Sequence, residues 1–103
     1  MRAYGLYIIK NGIVIPEPDL LAWGAWYGDS HERFIANTII GDTEISTVFL
    51  GIDRGIGSGA PVLFETMIFG GMQDGYRERY QTIEEARQGH ERAVGLAVGD
   101  DNG

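Results

Sequence analysis

Seven side chains could do chemistry together: Arg54, Glu65, Tyr76, Arg77, Arg79, Tyr80 and His90. Guanidinium groups recognise phosphates and carboxylates through several N–H donors, and tyrosine rings offer faces on which a base can stack. Glu65 stands inside the run VLFETMIF, between Leu63, Phe64, Met67 and Phe69. A carboxylate in such company must find a hydrogen-bonding partner or take up a proton, because an unpaired buried charge is very costly. Two roles are open to it: a structural partner of Arg79, a backbone amide or a neighbouring threonine, or a proton donor or ligand anchor. His90 and Arg87 are three residues apart and can share a helix face that would suit an anion. His90 and Glu91 are adjacent, diverge by about 100 degrees on a helix and cannot easily ligate one ion. With two histidines, no cysteine and no HExxH pattern, neither a metal nor any other cofactor is expected. There is no GxSxG elbow and no Walker lysine, and Gly55, Gly57 and Gly59 are not followed by a helix as a dinucleotide fingerprint requires. No catalytic residue is therefore assigned.

The elements that must position these groups are legible as punctuation. Leu6 to Ile9 and Ile13 to Ile15 flank Asn11-Gly12, a strong hairpin signal. Pro16 and Pro18 end the second strand, and Asp19 can cap a short helix carrying Leu20, Trp23, Trp26 and Tyr27 and ending near Gly28 and Asp29. Arg33 to Ile40 reads as a strand turning at Gly41-Asp42 into a further strand, STVFLGID, from Ser46 to Asp53. A glycine connector leads to the strand Val62 to Phe69, where Val62, Phe64, Thr66 and Ile68 share one face and Leu63, Glu65, Met67 and Phe69 the other. Gly70, Gly71, Asp74 and Gly75 form a polar loop. Thr82 and Glu85 make a capping box for a final helix from Ile83 to about Leu96, with a narrow face of Ala86, Ala93, Val94 and Ala97. The expected fold is α+β: an antiparallel sheet of four to five strands with two helices, the longer C-terminal one packed on the sheet. Residues 1–98 form a single domain, and 99–103 a flexible acidic tail.

The chain has 103 residues, enough for one core. It carries a formal charge of -7 and 44% hydrophobic residues, an ordinary balance for a water-soluble domain. That charge repels nucleic-acid polymers and anionic membranes unless a local basic pocket overrides it. The start, MRAYGLYIIKNG, breaks too early for a signal peptide or a spanning helix, and the absence of cysteine fits a reducing cytoplasm.

The combined string FETMIFGG followed by ERYQTIEEARQGH resembles a widespread set of small bacteriophage-encoded proteins of largely unassigned role, strongly over the second half of the chain. Ile83 and Arg54 depart from that pattern. The resemblance implies a phage or prophage accessory protein acting in the host bacterial cytoplasm, of a kind that often interferes with host defence. The leading expectation is a non-enzymatic counter-defence protein that sequesters a small anionic, nucleotide-type immune signal, as a homo-oligomer because so short a chain has little concavity of its own. Two alternatives stand beside it: direct inhibition of a host defence protein through an acidic and aromatic surface, and enzymatic degradation of the signal with Glu65 or His90 as general acid or base.

Overall fold

The computed structural model describes residues 4–55 and 59–101. Strands β1 (Tyr7–Lys10) and β2 (Ile13–Pro16) form an antiparallel hairpin. Asn11 and Gly12 at its tip both have positive φ, 53° and 79°, as a two-residue turn with the twist of the flanking strands demands. Helix α1 (Leu20–Asp29) is capped by the Asp19 carboxylate, which accepts from the amides of Leu21 and Ala22. It packs on β1. The Trp23 indole donates to the carbonyls of Tyr7 and Gly51 at 3.0 and 3.1 Å, which fixes the hairpin and the helix to the loop behind the main sheet.

That sheet is a four-stranded antiparallel meander of β3 (Phe34–Ile40), β4 (Thr43–Phe49), β5 (Phe64–Phe69) and β6 (Arg77–Tyr80), in chain order. Helix α2 (Ile83–Asp101) crosses one face and touches all four strands. Its entry is set by the capping box, in which Thr82 Oγ1 accepts from the Glu85 amide and Glu85 returns a bond to the Thr82 amide. Side-chain alternation sends Ile45, Phe49, Phe64, Ile68 and Tyr80 toward the helix, where each is 6% exposed or less. Two apolar clusters result. One joins Phe49, Leu63, Phe64 and Tyr80 to Ile9 of the hairpin and Ala86 of the helix; the other joins Ile45 and Ile68 to Ala93 and Ala97. Burying such side chains contributes roughly 25 cal/mol per Å² of apolar surface removed from water.

The α+β class is as expected, but four details differ. β4 ends at Phe49 rather than running through Asp53, because Gly51 takes a φ of 75° and its backbone lies against the Trp23 ring. The main sheet has the expected strand count, yet one of its strands is unexpected: Arg77–Tyr80, with three charged residues in four, forms edge strand β6 where the sequence reads as loop. The N-terminal hairpin stands as its own two-stranded sheet. Finally, α2 continues beyond Leu96 to Asp101, so the acidic tail is helical as far as that residue, and 102–103 lie outside the described residues.

Gly89 shows how tightly α2 is seated. A Cβ at this position would collide with the Tyr80 phenol, so the glycine is required by packing although it weakens an isolated helix. Gly89→Ala is expected to destabilise the protein by about 1–3 kcal/mol through overpacking, against the roughly 1 kcal/mol that alanine gains in helix propensity. Urea denaturation of the variant checks this, and a raised midpoint would show that the ring yields easily.

Candidate functional site

The sequence Arg77-Glu78-Arg79-Tyr80 sorts its side chains by the period of two. Arg77 and Arg79 project on the face of the sheet away from α2, in register with Met67 and Glu65. Glu78 and Tyr80 project toward the helix, where Glu78 accepts from Arg92 Nη2 at 2.8 Å. This pair ties the sheet's last strand to α2, and it holds the Glu78 carboxyl below its usual range.

On the open face the register produces three rows. Phe34, Val48, Glu65 and Arg79 form the first; Asn37, Ser46, Met67 and Arg77 the second; Ile39, Glu44 and Phe69 the third. No described helix or hairpin strand packs on this face. Glu65 is nevertheless 8% exposed, flanked in register by Val48 and Arg79. Arg79 Nε donates to its Oε2 at 2.8 Å, and Arg77 Nη1 stands 3.9 Å from the same oxygen. One carboxylate thus orients two guanidinium groups whose side chains are 39% and 55% exposed. Among the described residues Arg79 commits only its Nε to an acidic partner, which leaves its terminal N–H donors directed elsewhere.

The other expected site residues are not brought to this place. Tyr80 and His90 lie between the sheet and α2, both 6% exposed, so the Tyr80 ring offers no face on which a base could stack. Alternation turns Tyr80 inward, and Tyr76 is half-buried against the Ile45 and Ile68 cluster. Burial pushes the Tyr80 phenol up to about 12. Its hydroxyl lies near Thr66 and Glu78 without a well-formed hydrogen bond among the described residues. His90 and Arg87 also part, since the ring is buried and Arg87 faces water. Arg54 is exposed in the connector, with its amide donating to the Val62 carbonyl. The Asp53 carboxylate accepts from the amides of Gly55 and Val62 and is held below its ordinary range by those bonds. The connector's middle, 56–58, lies outside the described residues.

A polar line runs through the core that the sequence did not disclose as a unit. His90 Nδ1 is hydrogen-bonded to Thr47 Oγ1 at 2.7 Å and Nε2 to Thr38 Oγ1 at 2.9 Å, while Thr47 is bonded onward to Thr66. A neutral imidazole has one donor and one acceptor, and hydroxyl groups can complement either. The signal that could have found this line is the placement of Thr47 between Ile45 and Phe49, and of Thr66 between Phe64 and Ile68, on faces that are otherwise apolar. Such threonines need buried partners.

Glu65 and His90 therefore lie on opposite faces of the sheet and cannot serve one substrate as an acid–base pair. Among the described residues no group of three His, Asp or Glu side chains could hold a metal ion, and no helix is long and apolar enough to cross a membrane. On the open face two guanidinium groups share one carboxylate, a local surplus of positive charge on an acidic molecule. Comparison with known protein families, with curated proteins and with solved structures found no match.

Burial lowers the His90 pKa from its ordinary 6.5, opposed in part by the charge of Glu91. A depressed folded-state value means that stability is complete above about pH 6.5 and is lost as the pH falls from there toward the folded-state pKa, because the unfolded chain takes up a proton that the folded one refuses. The depressed Glu78 carboxyl acts in the same sense, but in the more acidic carboxylate range. Urea unfolding of the wild type and His90→Gln between pH 8 and 5.5 is expected to show a loss of stability with falling pH that is smaller in the variant. Equal slopes would mean that His90 does not titrate in this range.

Proposed function

We propose that this chain is a non-catalytic binding protein that captures the anionic group of a small ligand at Arg77 and Arg79, on the uncovered face of the sheet. The observation that carries the reading is the shared carboxylate: Glu65 holds Arg79 through Nε and lies near Arg77, yet both guanidinium groups keep exposed donors. Preorganised arginines lose less side-chain freedom on binding than free ones, and a planar guanidinium matches a phosphate better than an ammonium does. The resemblance to small phage proteins makes a nucleotide-type immune signal the ligand class to test first, with sequestration in the infected cell as the biological role.

A second reading has its own support. Phe34, Ile39 and Phe69 are 55%, 70% and 44% exposed on the same face, and apolar residues left bare beside charged ones suit a protein partner. Direct inhibition of a host defence enzyme would use this surface without releasing any small molecule on heating.

Incubation with extracts of defence-activated bacteria, then heat release and mass analysis, separates the two readings. An intact nucleotide supports capture, a cleaved one an enzyme, and a retained protein the inhibitor. Arg77→Ala, which breaks only a 3.9 Å contact, is expected to lower capture about tenfold, by roughly the 1.5 kcal/mol of a charged hydrogen bond, while melting like the wild type. Arg79→Ala is expected to abolish capture and also to cost about 1–3 kcal/mol of stability, since Glu65 loses its near partner. Unchanged ligand recovery in both variants would remove the arginines from the site.

A further inference from the structure

Of the two exposed rings on the open face, Phe34 lies under the Arg33 guanidinium, 4.2 Å from its ring centre, and Phe69 is the other. Phe69 lies at the end of β5 on the same side as Glu65 and Met67, one strand over and two residues along from Arg77. Residues in that diagonal relation are about 7–8 Å apart. The ring is 44% exposed, although Ile68, beside it on the strand, is fully buried under α2. An exposed aromatic next to aligned guanidinium groups is the pairing that single-stranded nucleic-acid binders use, stacking a base while cations hold the backbone phosphate. Glu44, the nearest acidic residue in register with Phe69, accepts from Asn37 Nδ2 at 2.7 Å and is drawn toward β3, away from the arginines.

Resting on the capture reading above, we infer that the ligand is a nucleotide whose base stacks on Phe69 while its phosphates are held by Arg77 and Arg79. The two guanidinium groups, set against the single carboxylate of Glu65, select the anionic end, and the ring selects the aromatic end. Each half is incomplete alone: the phosphate site is open to solvent, and an exposed phenylalanine by itself has no polar specificity. Their spacing makes the base a requirement for tight binding, so bare phosphates and sugar phosphates are rejected by weak affinity rather than by a steric wall. The chain length of the ligand is limited by the sheet edge, since β6 is the last strand and no further cation stands in register beyond Arg79 among the described residues.

The test is calorimetric titration of the full chain with ADP, pyrophosphate and ribose 5-phosphate, on the wild type, Phe69→Leu and Arg77→Ala, with thermal melts and sedimentation run on each. The leucine keeps an apolar side chain at an exposed strand end, so folding is expected to survive. The expected result is that ADP binds the wild type about tenfold tighter than pyrophosphate, in keeping with the value of one stacked base. Phe69→Leu is expected to remove that advantage and leave pyrophosphate binding unchanged, while Arg77→Ala weakens both. Equal ADP affinity in Phe69→Leu and the wild type, with Arg77→Ala still defective, overturns the stacking role and leaves anion capture standing. Failure of all three compounds to bind overturns both. A wild type that sediments as a dimer and becomes a monomer in Phe69→Leu would show that a second copy covers the ring, which also overturns the inference.

Discussion

A single long helix and a four-stranded sheet impose one constraint on this molecule: only one face of the sheet can be dry. α2 covers the face lined by Ile45, Phe49, Phe64 and Ile68, and the hairpin and α1 gather at the Phe49 end, where Trp26 meets Phe49 edge to face. No described helix covers the opposite face. Strand alternation then decides the environment of every side chain from β3 to β6, because a residue that faces away from α2 cannot also join the core.

The same constraint explains how polar groups were distributed. Four strands passing beneath one helix bring threonines of β3, β4 and β5 into a line, and His90 is the side chain of α2 that satisfies two of them. Because both ring nitrogens are occupied, the histidine specifies the height and rotation of α2 over the sheet in a way that an alanine contact could not. Gly89, one residue earlier, admits the Tyr80 ring beneath the helix backbone. Arg92, two residues later, reaches Glu78 at the sheet's edge. Three neighbouring positions of one helix thus lock it to β6, β3 and β4.

On the bare face the charges are arranged differently. Glu65 is deeply placed for a residue that no helix covers, and its carboxylate gathers two arginines that would otherwise repel each other. A protein of net charge -7 keeps anions away on average, but screening limits that field to about 10 Å at ordinary ionic strength, so a local guanidinium pair governs what happens within hydrogen-bonding distance. Pairing with Glu65 also restricts the side-chain freedom of the arginines. One carboxylate therefore ties β5 to β6 through Arg79 and lies close to both guanidinium groups.

Local chemistry was legible where a few adjacent residues decide the outcome. Asn11-Gly12 made the hairpin, Asp19 and the Thr82–Glu85 box started the helices, and the alanine stripe of α2 announced a close approach to a sheet. That Glu65 needs a partner was legible too, because a carboxylate among apolar neighbours has few ways to be stable, but Arg79 was only one of the partners open to it. Strand β6 was not legible, since Arg77, Glu78 and Arg79 have weak strand propensity and are ordered by pairing with β5, a long-range effect. Nor could the chain alone tell that Tyr80 and His90 would be interred while Arg77 and Arg79 stayed outside. Composition placed them in one neighbourhood, but the pleat of an edge strand and the covering of one face by α2 put them on opposite sides, and only the tertiary structure could decide which side met water.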